Sequence, residues 1–353
     1  MERKVCKFGG SSLADGKAVL SVTDIVFSDE SRRYILPSAP GKRFLGDVKV
    51  TDLLYRYYRS ERSGDRCANG LWEKISNRFE EISTPFSLSA YVNETLWNLR
   101  KSIADYGEAY CVSRGEWLTA KILSKGWEFP FLDAESLPLF YGNVFAENCY
   151  PIVKNKAERY QRAIVSAFYG ANEKGEIKTF SRGGGDVSGA VLSRALHADL
   201  YENWTDVDGV YDCDPNLVEN AKRIDVLTGA ELSCLAQAGA CVLHGEALSV
   251  LKGSGVLLWI GNTFAPKRGG TLVEPSEKKR TGLLALAGRE YENGGEITLV
   301  GNADEGQKSR LINAVKDFFG EERERESEYA FTVLVRKGKY RQAIREIYKQ
   351  LFG

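Results

Sequence analysis

Residues 179–218 read TFSRGGGDVSGAVLSRALHADLYENWTDVDGVYDCDPNLV. The stretch predicts a loop, a helix, a strand and a second polar loop. Arg182-Gly183-Gly184-Gly185-Asp186 opens it, and three successive glycines let backbone approach a ligand with no Cβ in the way. Apolar residues at Val187, Ala190, Val191, Ala195 and Leu196 predict a helix from Val187 to Leu196. The N–H groups at its start face the glycine loop, a seat for an anion. Arg182 adds a planar fork suited to a carboxylate or phosphate. Asp186 adds a negative charge that can hold a lysine or the water on a metal. Leu200 to Trp204 predicts a strand, and Thr205 to Tyr211 a polar loop after it. A glycine run or an Asp-Gly pair alone marks only a turn. Two such loops around one short helix, with an arginine and several acids between them, point to a binding site.

Outward from this stretch, the chain repeats the theme. Arg3 to Phe8 predicts a strand ending in Lys7-Phe8-Gly9-Gly10-Ser11-Ser12, before a helix from Asp15 to Phe27. This is a small phosphate cradle but not a Walker loop, because the lysine precedes the glycines. Tyr34 to Pro37 predicts a strand that turns at Ser38-Ala39-Pro40-Gly41. Lys42 to Val50 is polar and expected to be mobile. A helix then starts at Thr51, with Thr51 or Asp52 as its cap. Asp65 to Gly126 reads as mainly helical, with Leu96, Leu99, Ile103, Tyr106 and Tyr110 on one apolar face. Arg114 to Trp117 reads as an interruption, which places Glu116 at a helix start, where an acid complements the dipole. Further strands are expected at Phe129–Asp133, Ala163–Phe168 and Gly255–Asn262, a hairpin turn at Ala171–Ile177, and a helix from Thr228 to Ala238. Strands alternating with helices imply a mostly parallel sheet with helices on both sides. Ligands of such sheets lie beyond the carboxyl ends of the strands. Lys7, Ser38, Tyr169, Arg182 and Thr205 all follow strand-like runs and so converge on one rim.

The 353 residues allow a sizeable core, and 48 basic against 48 acidic residues give a net charge of zero. That argues against a dedicated nucleic-acid binder, which carries a basic face. No apolar run approaches the length of a membrane span, and no apolar signal core follows Met1, so a cytoplasmic protein is expected. The seven cysteines are scattered without a CxxC pair, which signals neither zinc nor a disulfide framework. With only two histidines, His197 and His244, histidine acid–base chemistry is not favoured. Composition shifts near Glu274-Pro275-Ser276-Glu277-Lys278-Lys279-Arg280, which predicts a linker between a unit over 1–275 and a smaller α+β unit over 281–353. In the latter, strands are expected at Leu283–Ala287, Glu296–Gly301 and Tyr329–Val335, helices at Glu305–Phe319 and Lys339–Leu351, and a solvated charged turn at Glu321–Glu328.

With these residues in view, the chain resembles the aspartate kinases of the amino acid kinase superfamily over about residues 4–273. The matching pieces come in order: KFGGSS at Lys7, SAPG and VTDLL around Thr51, GEWLTAKIL at Glu116, FYG at Phe168, SRGGGD at Arg182, TDVDGVYDCDP at Thr205, GACVLH at Gly239 and GGTLV near the end. The resemblance implies a three-layer α/β/α sandwich kinase domain followed by a reduced ACT-like region for regulation or dimerisation. It implies transfer of the ATP γ-phosphoryl group to the β-carboxylate of L-aspartate, the first step toward lysine, threonine, methionine and diaminopimelate. A carboxylate nucleophile is already ionised at neutral pH and needs no general base. By motif, Lys7 and Asp186 would be catalytic. Ser38, Thr51, Glu116, Phe168 and Arg182 would bind the amino acid. Gly9, Gly10, Ser11, Thr205, Asp206, Tyr211 and Asp214 would bind the nucleotide. Magnesium would bridge the phosphates, mostly through water, with no side chain implied as a direct ligand. A homodimer is expected. The sequence departs from the family at Ser181, Gly185, Asn216, Ser166-Ala167 and Gly261, where Gly, Ser, a basic residue, Pro-Gly and Arg are usual.

Overall fold

The computed structural model describes residues 2–181, 183–240, 243–315, 324–327 and 329–352. Its centre is an eight-stranded sheet. From one edge to the other the strands are Val226–Thr228, Gly270–Glu274, Leu257–Asn262, Leu200–Thr205, Lys4–Phe8, Arg32–Pro37, Ala163–Val165 and Phe131–Leu132. Six run parallel. Gly270–Glu274 is antiparallel to Leu257–Asn262 and parallel to Val226–Thr228, so these two edge strands run the other way. Helices cover both faces, as the alternation of strands and helices predicts.

The central strand Lys4–Phe8 shows why. In a parallel sheet covered on both faces, strands are apolar without alternation. Val5 packs into one core, with helices Gly184–Leu196 and Gly245–Leu251. Cys6 and Phe8 pack into the other, with helices Gly16–Phe27, Val50–Ser63 and Glu108–Trp127. Lys7 breaks the apolar run at only 9 % exposure. A charge is almost never buried without a partner, so this position marks a site within the scaffold.

Several expectations are corrected. The helix Glu108–Trp127 runs unbroken through Arg114–Trp117. Gly115 does not end it; a Cβ there would stand 2.8 Å from Ala39 Cβ, so the glycine lets the helix lie against the turn after Arg32–Pro37. Glu116 therefore sits mid-helix and cannot serve a helix start. The apolar face expected from Leu96 to Tyr110 is divided, since one helix ends at Arg100 and the next begins at Glu108, leaving Tyr106 exposed. Neither Thr51 nor Asp52 caps its helix, which starts at Val50 with no side-chain cap. The Val50 N–H instead donates to the Pro40 carbonyl, so the incoming loop satisfies that end. The polar segment 42–50 is cross-linked rather than loose: the Arg78 guanidinium donates to Asp47, to the Val48 and Ala14 carbonyls and to that of Gly41. The strand expected from Ala163 stops at Val165, and Phe168 takes a left-handed φ of 75°.

The C-terminal part forms a four-stranded antiparallel sheet in the order Leu283–Tyr291, Gly294–Gly301, Ala330–Arg336, Glu324–Ser327, with helices Glu305–Val315 and Tyr340–Leu351. The charge run was expected to be a turn, yet Glu324–Ser327 pairs as an edge strand with Ala330–Arg336. Charged side chains are well suited to an edge. The expected last turn of the preceding helix (316–319), residues 321–323 and Glu328 lie outside the described residues. This sheet is not isolated: Leu284, Ala285, Ala287 and Val300 belong to the same core as helix Gly229–Ala238. That helix begins with a capping box between Thr228 and Glu231, and Arg280 from the connecting segment pairs with Glu231 at 2.9 Å.

Candidate functional site

The carboxyl ends of Lys4–Phe8, Arg32–Pro37 and Leu200–Thr205 meet the start of helix Gly184–Leu196. Lys7 Nζ lies 2.7 Å from Asp186 Oδ1, with both side chains almost wholly buried. Pairing and hydrogen bonding are what make a buried charge tolerable. Asp186 is held on its other sides too. Asn203 Nδ2 donates to Oδ1 at 3.4 Å, the His244 backbone N–H to Oδ2 at 3.3 Å, and Tyr201 OH to the Asp186 carbonyl at 3.2 Å. Neighbouring strands explain the meeting: Lys7 is in register with Asn203, so both project from the same face toward the helix.

The backbone around this pair is built for close approach. Gly9 donates to the Trp204 carbonyl at 2.9 Å and Gly41 to the Gly10 carbonyl at 2.7 Å. A Cβ on Gly41 would stand 2.4 Å from the Gly10 carbonyl carbon, so the two turns touch only because a side chain is missing. Gly183, at a φ of 84°, caps the start of helix Gly184–Leu196 in a conformation open to glycine. A Cβ on Gly185 would lie 3.5 Å from both Lys7 Cε and Ser38 Oγ, which places Ser38 beside the ion pair. Phe168 packs on the loop, with its backbone N–H donating to Ser188 Oγ at 2.9 Å. Ser11 opens the short helical turn after Gly10, and the adjacent Ser12 shares a 2.7 Å hydrogen bond with Thr263.

Glu116 faces the same region from mid-helix. It is buried, and its Oε2 has no hydrogen-bond partner. Burial pushes its carboxyl up to about 7, against the opposing pull of the Ala39 N–H and the Lys7 charge. A buried carboxyl with an unpartnered oxygen and a raised pKa is a candidate functional group. Thr51 stands one residue into helix Val50–Ser63, which begins beside Ala39.

The remaining expected residues lie on the loop after Leu200–Thr205. Thr205 ends the strand and its hydroxyl meets Asp206 at 3.2 Å; Asp206 is exposed. Tyr211 bridges to Arg223, and Asp214 is exposed, accepting from the Asn216 backbone and side-chain nitrogens. Arg182 and two residues of the GACVLH motif, Cys241 and Val242, lie outside the described residues. The Lys7 side of the expected convergence is in place together with Ser38, Glu116 and Asp186. Asn203 and His244 were not foreseen as partners of Asp186. Strand alternation from Lys7 could have found Asn203; His244 contributes a backbone N–H, which residue type does not reveal. Among the described residues, no group of three or more His, Cys, Asp or Glu side chains could hold a metal ion, and no helix is long and apolar enough to cross a membrane.

The chain matches the family model described as the amino acid kinase family over residues 2–262. It is 36 % identical over 287 residues to aspartokinase 3 of Bacillus subtilis, covering 76 % of this chain and 63 % of the relative. It is 30 % identical over 293 residues to the lysine-sensitive aspartokinase 3 of Escherichia coli, again covering 76 % of this chain and 63 % of the relative. The chain thus spans less than two thirds of the length of these relatives. In structure it superposes on the aspartate kinase of Clostridium acetobutylicum with a TM-score of 0.88 at 29 % identity, covering 99 % of this chain and 100 % of the other. Escherichia coli aspartokinase III in complex with aspartate and ADP shares the fold, with a TM-score of 0.84 at 22 % identity over the whole of both chains.

Proposed function

The chain belongs to the amino acid kinase family, and on that premise we propose that it is an aspartate kinase, transferring the ATP γ-phosphoryl group to the β-carboxylate of L-aspartate. One observation carries the reading: the buried 2.7 Å pair of Lys7 and Asp186 at the strand ends, beside the Gly9-Gly10 turn. The relatives named above are aspartokinases, which supports aspartate as the acceptor.

A β-carboxylate oxygen attacks Pγ, the bond from Pγ to the β,γ-bridging oxygen breaks, and ADP leaves with that electron pair. No proton moves, so no general base is required. The enzyme's task is to align two anions and neutralise charge on the transferring group. In this reading the Lys7 ammonium meets the phosphoryl oxygens, and Asp186, held by Asn203 and His244, keeps Lys7 in position. Gly9, Gly10 and Ser11 line the phosphates. Glu116 pairs with the substrate ammonium, Arg182 takes the α-carboxylate, Ser38 and Thr51 add hydrogen bonds, and Phe168 forms a wall of the amino-acid pocket. Thr205, Asp206, Tyr211 and Asp214 serve the nucleotide. Magnesium fits as a companion of the triphosphate, since both Asp186 oxygens already have protein partners; when bound it neutralises charge on the phosphate oxygens. We place the enzyme in the cytoplasm at the head of lysine, threonine and methionine synthesis. We assign residues 1–275 to the kinase unit and 281–353 to an ACT-like unit that joins a homodimer.

Release of ADP measured with L-aspartate, with L-glutamate and with no amino acid tests this. Turnover that depends on L-aspartate is expected. Folded protein that releases ADP only with another carboxylate, or with none, would refute the assignment.

A further inference from the structure

The loop that carries Tyr211 and Asp214 is fastened from the far end of the chain. Asp212, between them, is 8 % exposed, and its carboxylate meets the C-terminal helix. Tyr348, on the C-terminal helix Tyr340–Leu351 and 2 % exposed, reaches both Asp212 oxygens through its hydroxyl at 3.1 Å, and the Asn220 carbonyl at 3.3 Å. The Lys222 N–H closes the loop on Asp212 Oδ1 at 2.8 Å. Two more bonds come from the C-terminal part: Arg345 Nε donates to the Leu217 carbonyl at 2.7 Å, and the Leu286 N–H to the Asp212 carbonyl at 2.7 Å. Cys213, Leu217 and Val218 complete the attachment by packing in the core of the C-terminal sheet and helices. The loop therefore has one face in the C-terminal core and leaves Asp214 on the other, exposed.

We infer that the helix Tyr340–Leu351 is a clamp on the nucleotide-side loop, with Tyr348 as its positioning residue. By fixing Asp212 it sets where Tyr211 and Asp214 stand, so the C-terminal part acts on nucleotide affinity and not on the amino-acid side. This rests on the kinase reading above, which gives those two residues to the nucleotide. An unrestrained loop must be ordered each time nucleotide binds, and that ordering weakens affinity. The Tyr348–Asp212 contact is a hydrogen bond to a charged group, the stronger kind.

The test uses the full chain with Tyr348→Phe and Arg345→Ala, and Thr298→Val as a comparison. The last removes a 3.0 Å hydroxyl pair with Thr332 within the C-terminal sheet. A nonhydrolysable ATP analogue is titrated calorimetrically, and KM is measured for ATP and for aspartate. For Tyr348→Phe and Arg345→Ala, ATP affinity is expected to fall by roughly tenfold, the scale of one lost hydrogen bond to a charged partner. KM for aspartate and kcat stay within about twofold, and Thr298→Val moves none of them beyond that. Unchanged ATP affinity in both clamp variants overturns the inference. So does an equal loss for ATP and aspartate, or the same loss in Thr298→Val, because each would mean general destabilisation. Wild-type protein that binds no ATP analogue overturns the kinase reading along with the clamp.

Discussion

With Glu116 proposed as the partner of the substrate ammonium, aspartate capture should depend on pH. The Glu116 carboxyl is buried, and burial holds it at about 7 instead of the ordinary 4.5. Protonated, it cannot pair with an ammonium; ionised, it is a buried charge awaiting one. The difference corresponds to roughly 3 kcal/mol. The sign for folding follows from which state holds the proton longer. Below about 4.5 both states are protonated and the group is neutral in its effect; between about 4.5 and 7 the unfolded chain releases its proton first and stability falls as pH rises. Above about 7 the whole penalty is present in the free protein, and a bound ammonium offsets part of it. Accordingly, kcat/KM for aspartate at saturating ATP, measured from pH 5.5 to 9, is expected to rise about tenfold per pH unit up to about 7 and then level off. Glu116→Gln should abolish that slope and lower kcat/KM at pH 8 by about 2–3 kcal/mol, as expected when a buried charged partner is removed. Thermal denaturation gives an independent check: Glu116→Gln should be more stable than the parent at pH 8 without aspartate and gain less from its addition. A flat profile in the parent, or an unchanged KM for aspartate in Glu116→Gln, would refute the assignment of Glu116 to the ammonium.

Two further outcomes are expected. Lys7→Ala should lose about 2–4 kcal/mol of transition-state stabilisation, seen mainly in kcat, the usual loss for one preorganised donor; a loss confined to KM would remove Lys7 from the reacting centre. Gly185→Ser should fold and stay active, because its Cβ would stand 3.5 Å from its neighbours, whereas Gly261→Arg should unfold at lower temperature, because a Cβ there would meet the Trp259 ring at 2.0 Å. Equal melting temperatures for the two variants would contradict this.

The sheet, its flanking helices and the position of Lys7 and Asp186 were legible because they depend on local periodicity and on strand ends. Lys7 in an apolar strand and the glycine run before Asp186 are both visible without coordinates. Glu116 was found by motif but misplaced in structure, since a mid-helix glycine that serves close packing on Ala39 looks, in sequence, like one that ends a helix. Thr51 was misread as a cap because the donor it would satisfy goes to the Pro40 carbonyl, a contact made by the tertiary fold. Glu324–Ser327 lacks alternation and is a strand only through its neighbour. The backbone N–H of His244 on Asp186 and the hydroxyl of Tyr348 on Asp212 join residues 58 and 136 positions apart. Nothing local encodes such pairs; they follow from how the sheet and its C-terminal companion pack.

The chemical claim at the centre is that a carboxylate, and no hydroxyl or amine, receives the phosphoryl group. An acyl phosphate is trapped by hydroxylamine as a hydroxamate, while a phosphate ester or phosphoramidate is not. Incubation of the protein with ATP, magnesium, L-aspartate and hydroxylamine is expected to accumulate aspartyl hydroxamate in step with ADP. ADP released in the presence of aspartate with no hydroxamate above the blank would contradict the account.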